Sequence, residues 1–114
     1  MGVFRFKRFE VRNERSAMKV NTDGVLLGAA VTLSGSEKRV LDVGTGTGTI
    51  ALMLAQRLSD MGADARITGI DIDAPSAEEA GENFAASPWA AALDARHVPM
   101  QQYDGGPFDL IVSN

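Results

Sequence analysis

The sequence predicts an α/β fold: a parallel sheet with helices on both faces, preceded by an N-terminal strand or hairpin and a short helix. Three observations carry this reading. From Arg39 onward, short apolar runs of strand length alternate with longer runs of helix length. A glycine-dense turn, Asp42-Val43-Gly44-Thr45-Gly46-Thr47-Gly48, joins the first such strand to the first such helix, and the later links are short. Strands that alternate with helices in this way form a parallel sheet through right-handed crossovers, and such sheets carry ligands at the C-terminal ends of their strands.

Val3 to Val11 alternates apolar and polar residues with one slip, the period of a strand with one wet face, and its aromatics are expected to pack inward. Asn21-Thr22-Asp23-Gly24 offers turn and N-cap chemistry ahead of a short apolar helix, Val25 to Val31, which Ser34-Gly35-Ser36 stops. The first sheet strand is Val40 to Val43. Ile50 to Leu58 is apolar on nearly every side, as a helix buried against a sheet must be. Ile67 to Ile72 is the next strand. Pro75, Ser76 and the acidic pair Glu78-Glu79 suit the start of a helix running to Ala86, which Ser87-Pro88-Trp89 ends. Residues 93–98 form a weak third strand, and Phe108 to Ser113 a strong fourth after Gly105-Gly106-Pro107. Residues 1–36 thus read as an entrance element and 37–114 as a ligand-binding half-domain.

Composition removes several kinds of chemistry. The chain has 114 residues, 45% hydrophobic and 23% charged, ordinary for a packed globular protein though short for the whole of such a fold. It contains no cysteine, which excludes disulfides and thiolate chemistry, and its one histidine, His97, cannot build a multi-histidine metal site. No metal is expected, and His97 is read as a surface residue at a strand end. The longest apolar stretch is far shorter than a bilayer span and no charged leader opens the chain, so a cytoplasmic location without membrane contact is expected. Met1-Gly2 fails as a myristoylation signal because Phe6 stands where Ser or Thr is needed. Net charge is −4, yet residues 1–19 carry +4 and the remainder −8. A basic arm therefore leads an acidic body, read either as a solvated hairpin face or as a phosphate-contacting arm.

The predicted strand ends bring Asp42, Gly44, Asp71, the segment after residue 98 and Asn114 to one edge of the sheet. The glycines sit where the backbone must turn sharply and admit a ligand without a Cβ in the way. A dinucleotide fingerprint needs a sixth-position glycine, and counting from Gly44 that position is Thr49. What remains suits a ligand carrying an amino acid and a nucleoside but no pyrophosphate. Asp42 can hold such a ligand's ammonium, directly or through water, or can bond the turn's own amides. Asp71, about 25 residues after the turn begins, is placed to accept from both ribose hydroxyls, with Ile72 beside it. Asp73 can cap the next helix or touch ligand.

These residues, together with Phe6-Lys7-Arg8-Phe9, Ala17-Met18-Lys19-Val20, Thr22-Asp23-Gly24, Leu26-Leu27-Gly28, Glu82-Asn83, Ser87-Pro88-Trp89, Gln101-Gln102 and Phe108 to Asn114, resemble the tRNA1(Val) adenine-N6 methyltransferase family over nearly the whole chain. The glycine motif says only methyltransferase; the Lys19 to Gly28 block and Ser87-Pro88-Trp89 narrow the family. The resemblance implies a Rossmann-like class I fold, S-adenosylmethionine as cofactor, and methyl transfer to the N6 amino group of an adenine in tRNA. It implies that Lys19, Thr22 and Asp23 lie over the cofactor pocket, joining Asp42, Gly44, Thr45, Gly46, Gly48, Asp71 and Ile72 as cofactor-binding residues. It also makes Asn114 the first residue of an Asn-Pro-Pro-Tyr motif, whose side-chain oxygen accepts a hydrogen bond from the target amine. The sequence stops there, so the sheet is expected to be cut after its fourth strand, with an exposed edge open to self-association and weak cofactor binding without turnover. Where the family places an acidic residue for the cofactor's adenine, this chain has Pro99-Met100, with Asp104 the nearest carboxylate. The same chemistry serves a protein glutamine amide, and a nicotinamide or flavin domain or a non-catalytic cofactor- or RNA-binding module are the other readings.

Overall fold

The structure is a computed structural model and describes residues 2–17 and 19–114. Strands β1 (Val3–Arg5) and β2 (Glu10–Arg12) pair antiparallel, with Phe4 opposite Val11. Of the strand or hairpin expected over Val3 to Val11, the structure has the hairpin. The slip in its alternation, Lys7-Arg8, is the turn, closed by Phe6 N–H donating to the Phe9 carbonyl at 2.8 Å. Helix α1 (Thr22–Ala30) follows, then β3 (Arg39–Val43), α2 (Thr49–Asp60), β4 (Arg66–Asp71), α3 (Ala74–Ala85), β5 (Leu93–His97) and β6 (Leu110–Ser113). Short 3-10 turns lie at Ala90–Ala92 and Met100–Gln102.

The main sheet has the order β5-β4-β3-β6 and is parallel throughout, with Val40 opposite both Ile67 and Leu110. The last strand begins at Leu110 rather than Phe108, because Asp109 is used as a fastener: its Oδ2 accepts the amides of Lys38 and Arg39 at 2.7 and 3.0 Å. That clamp pins the start of β6 to the start of β3 and sets their register.

Alternation along the strands assigns Val40, Ile67, Leu93 and Val112 to one face, in a common core with Leu52, Leu54 and Leu58 of α2 and Ala80 and Phe84 of α3. Each buried leucine contributes about 1.5–3 kcal/mol. The helices that a doubly wound plan distributes over both faces are gathered here on this one. Successive steps β3 to β4 to β5 run in one direction, and right-handed crossovers in one direction put α2 and α3 on the same side. Helix α1 packs across α2, with Gly28 against Met53. Leu41 and Ile70, on the opposite face, are nonetheless fully buried. The segment joining β5 to β6 crosses that side: Phe108 receives the Arg39 guanidinium at 5.2 Å, Tyr103 stacks on Phe108 at 6.0 Å, and Arg39 donates to the Gly105 carbonyl.

The N-terminal hairpin belongs to the helical side. Phe9 and Val11 are buried in the core, Phe9 meets Trp89 edge-on at 5.7 Å, and Arg8 spans the Trp89 ring and both Asp60 carboxylate oxygens. The expectation that the hairpin aromatics turn inward fails for Phe4, which is 38% exposed. No helix among the described residues is long and apolar enough to cross a membrane.

Candidate functional site

The turn from β3 into α2 is built by its glycines. Gly44, Gly46 and Gly48 all have positive φ, at 70°, 56° and 86°. A Cβ on Gly48 would stand 2.5 Å from the Phe84 ring, so that position is closed to side chains by both conformation and space. Gly69 is needed for a different reason. Its absent Cβ leaves room for Thr45, whose hydroxyl would otherwise lie 2.5 Å away.

The turn satisfies its own amides. Gly44 and Thr45 N–H both donate to the Ile70 carbonyl at 2.9 Å, Gly48 N–H to the Thr45 carbonyl at 2.7 Å, and Gly46 N–H to Asp71 Oδ2 at 2.9 Å. A phosphate cradle keeps such amides aimed at the ligand. Here four of them are committed within the protein, so the turn offers shape rather than an anion nest.

Asp42 lies behind the turn, only 1% exposed. Its Oδ2 accepts the Thr45 hydroxyl at 2.9 Å, and its Oδ1 is buried with no hydrogen-bond partner among the described residues. Burial pushes its carboxyl up to about 7, against the pull of the Thr45 hydroxyl, and the nearby Asp71 charge adds to the rise. A buried carboxylate oxygen without a donor suits a cationic ligand group at this turn. Asp71 ends β4, half-buried, with one oxygen on Gly46 N–H and the other on Asp73 N–H, each at 2.9 Å. An ionised carboxylate has about four acceptor sites, so both oxygens can still accept hydroxyls. Ile72 projects beyond the strand at 73% exposure, and Met100, after β5, is 43% exposed. Asp73 takes the capping role, accepting from Ser76 N–H at 3.1 Å and its hydroxyl at 2.6 Å.

A narrow cleft of about 30 Å³ separates the glycine turn from the entrance element. Gly44, Thr45, Gly46 and Thr47 line one wall, Lys19, Asn21 and Val25 the other, and Asn114 reaches it from the end of β6. A Cβ on Gly24 would stand 3.1 Å from Asn114 Nδ2, so the bare start of α1 and the Asn114 side chain are closely apposed. Of the three entrance residues singled out from the sequence, Lys19 lines the cleft. Thr22 and Asp23 are exposed at the start of α1, away from the cleft lining. Within Asn21-Thr22-Asp23-Gly24 the cap is Asn21, whose Oδ1 accepts Gly24 N–H at 2.8 Å. Neither Pro99, Met100 nor Asp104 lines this cleft. His97 is exposed at the end of β5, with Nε2 3.1 Å from the Ile72 carbonyl oxygen. No cluster able to hold a metal ion occurs among the described residues.

Sequence reading missed how the entrance wall is held. Glu79, taken as a first-turn helix charge, is fully buried and accepts the amides of Glu14, Arg15 and Ser16 at 2.7–3.1 Å and the Ser16 hydroxyl at 2.6 Å. Desolvation pushes its carboxyl up, but these donors outweigh it and the pKa is lowered. Ser76 accepts Ala17 N–H at 3.0 Å. Asn83 exchanges two hydrogen bonds with the Arg12 backbone and donates to the Thr47 carbonyl at 2.7 Å. The signal was present as polar residues at 76, 79 and 83, one face of α3. The basic arm also proves largely self-neutralised: Arg5 pairs with Glu10, Arg8 with Asp60, Arg12 with Glu14, and Arg15 with Glu78 and Glu82. Lys7 and Lys19 meet no carboxylate among the described residues.

A family model described as a methyltransferase domain matches residues 40–114. The tRNA1(Val) (adenine(37)-N6)-methyltransferase of Aeromonas salmonicida is 49% identical over 111 residues, 97% of this chain and 45% of that protein. The enzyme of the same name from Trichodesmium erythraeum is 50% identical over 114 residues, covering 97% and 46%. The chain thus spans about half the length of the curated relatives it matches. Among solved structures, P. horikoshii TYW2 in complex with MeSAdo aligns with a TM-score of 0.70 at 16% identity, over 90% of this chain and 38% of that one. The SAM-dependent methyltransferase from Thiobacillus denitrificans in complex with S-adenosyl-L-homocysteine aligns at 0.63 and 24% identity, over 88% and 39%. At these identities the two solved structures speak to the fold, which is Rossmann-like.

Proposed function

This chain belongs to the methyltransferase domain family, and from that premise we propose that the protein transfers a methyl group from S-adenosylmethionine to the N6 amino group of an adenine in tRNA. The observation that carries the reading is the turn itself, whose amides are spent internally while the unpartnered Asp42 oxygen lies behind it. That combination suits an amino-acid-bearing nucleoside better than a dinucleotide, whose pyrophosphate calls for free amides.

The residues present fit such a cofactor. Gly44, Thr45, Gly46 and Gly48 would shape the seat of its amino-acid end, with Lys19 facing them and Asp42 balancing the ammonium. Asp71 would accept from the ribose, and Ile72 with Met100 would offer apolar contact to the adenine, for which this chain supplies no carboxylate at Pro99-Met100. When bound, the cofactor supplies an electrophilic methyl group on a sulfonium. Asn114, at the rim of the same cleft, would accept a hydrogen from the target amine, holding its nitrogen in line for attack; positioning of this kind needs no strong base. Thr22 and Asp23 would act from the start of α1, outside the cleft lining.

The names of the curated relatives support tRNA as the substrate, and a cytoplasmic location follows from that substrate. The unpaired outer edge of β6 is proposed as a site of self-association. Calorimetric titration of the chain is expected to show binding of S-adenosylhomocysteine and none of NAD. For the full-length protein, label from S-adenosylmethionine is expected in bulk tRNA as N6-methyladenine. Label entering a release-factor protein and not tRNA would refute the assignment in favour of a glutamine amide.

A further inference from the structure

We propose that the pocket between β1 and α1 receives a nucleobase of the RNA strand that carries the target adenine, stacked on Phe4, with Arg5, Lys7 and Lys19 meeting the adjoining phosphates. The proposal rests on the reading of tRNA as substrate. The pocket has a volume of about 390 Å³, within the range of sites for small planar ligands, and Phe4, Phe6, Val25 and Leu26 give it an apolar lining. Phe4 is left 38% exposed in a hairpin whose Phe9 is almost fully buried, and Leu26 on α1 is left 59% exposed. An aromatic face in water beside cationic side chains is the pairing by which single-stranded nucleic acid is held without base-specific contacts.

Charge supports this occupant. Arg5 lines the pocket and, among the described residues, no carboxylate does. Its partner Glu10 is more than half exposed, so that ion pair exchanges readily for a phosphate. Lys7 and Lys19 have no carboxylate to release among the described residues. Asp23 is exposed at the start of α1, outside the lining. Position supports it as well. Val20, Asn21 and Val25 line both this pocket and the glycine cleft that Asn114 borders, so the two are opposite sides of one wall. A strand delivering its target amine to Asn114 passes this wall, and its neighbouring base meets Phe4.

Fluorescence anisotropy with bulk tRNA tests the proposal on the chain itself, with S-adenosylhomocysteine titrations run in parallel. Phe4→Ala and the Phe4→Ala/Leu26→Ala pair are expected to weaken tRNA binding roughly 5- to 100-fold, the loss of one stacked base. Phe4→Trp retains it, and S-adenosylhomocysteine affinity stays within about twofold in all three. Lys7→Ala should lower the salt dependence by about one phosphate contact. Unchanged tRNA binding in the double variant, where the parent binds, would overturn the pocket and leave tRNA as substrate. Failure of the parent to bind any tRNA while S-adenosylhomocysteine still binds would overturn both. Self-association lost in the double variant with tRNA affinity intact would make the patch a contact between copies, and refute the nucleobase.

Discussion

Replacing Asp42 with Asn should stabilise the chain in a pH-dependent way while weakening cofactor binding. Asp42 is 1% exposed, its Oδ2 is held by Thr45, and its Oδ1 has no partner among the described residues. Burial raises its carboxyl from 3.8 to about 7. Over that window the folded chain keeps a proton that the unfolded chain has released, so stability falls as pH rises from about 4 to 7 and is flat above. The whole effect corresponds to about 4 kcal/mol, of which about 3 kcal/mol lies between pH 5 and 8. Asparagine has the same shape and still accepts from Thr45, but its amide takes the orphaned position at a pH-independent cost of about 1–3 kcal/mol. The variant should therefore be close to or below the parent at pH 5 and gain about 3 kcal/mol on it by pH 8. Urea denaturation followed by the fluorescence of Trp89 measures the gap. A gap that stays constant with pH, or narrows as pH rises, would refute the picture of a carboxyl kept neutral by burial. The same logic makes S-adenosylhomocysteine binding release a proton near pH 7, because its ammonium favours the charged carboxylate; identical heats in buffers of different ionisation enthalpy would argue otherwise.

Gly48→Ala should cost about 2–4 kcal/mol, since it places a Cβ at φ 86° and 2.5 Å from the Phe84 ring; a melting temperature within a degree of the parent would contradict the close packing. Glu79→Gln should destabilise by about 1–3 kcal/mol at neutral pH. Because its pKa is lowered in the fold, its contribution is complete above the ordinary glutamate range and disappears as acid protonates it. Hydrogen exchange at the amides of Glu14, Arg15 and Ser16 should accelerate in the variant at pH 7 and converge on the parent only as pH falls below the ordinary glutamate range. Asp71→Ala removes both the proposed ribose acceptor and the bond to Gly46, so S-adenosylhomocysteine affinity should drop at least tenfold, while a ribose-free analogue such as methionine is affected less.

Much of this molecule could be read directly from local pattern. The runs at 40–43, 50–58 and 67–72 are each close to the observed element because apolar period and glycine punctuation agree there. Asp42, the glycines, Asp71 and Asn114 fall at strand ends once the crossovers are drawn, so topology alone brings them to one edge. The hairpin turn at Lys7-Arg8 was visible as a break in alternation, but a two-residue polar step also fits a bulged strand. What could not be read are contacts between distant segments. Glu79 resembles any acidic residue near a helix start, and only the fold brings it beneath the amides of residues 14–16. In the same way the arginines of the arm carry a net positive charge in sequence, whereas Asp60, Glu78 and Glu82 reach them across 50 residues or more. The one-sided helical layer follows from strand order, which alternation alone does not give.

Asn83 joins three things at once: helix α3, the Arg12 backbone and the carbonyl of Thr47. From Arg12 the chain is a cable of set length as far as Ala17, fastened by Glu79 and Ser76. Inserting or deleting a residue there shifts the wall that faces the glycine turn, while the tip at Lys7-Arg8 lies outside these fastenings. Length variation is therefore least tolerated from Arg12 to Ala17, and a library of insertions scored by S-adenosylhomocysteine binding would trace that boundary residue by residue.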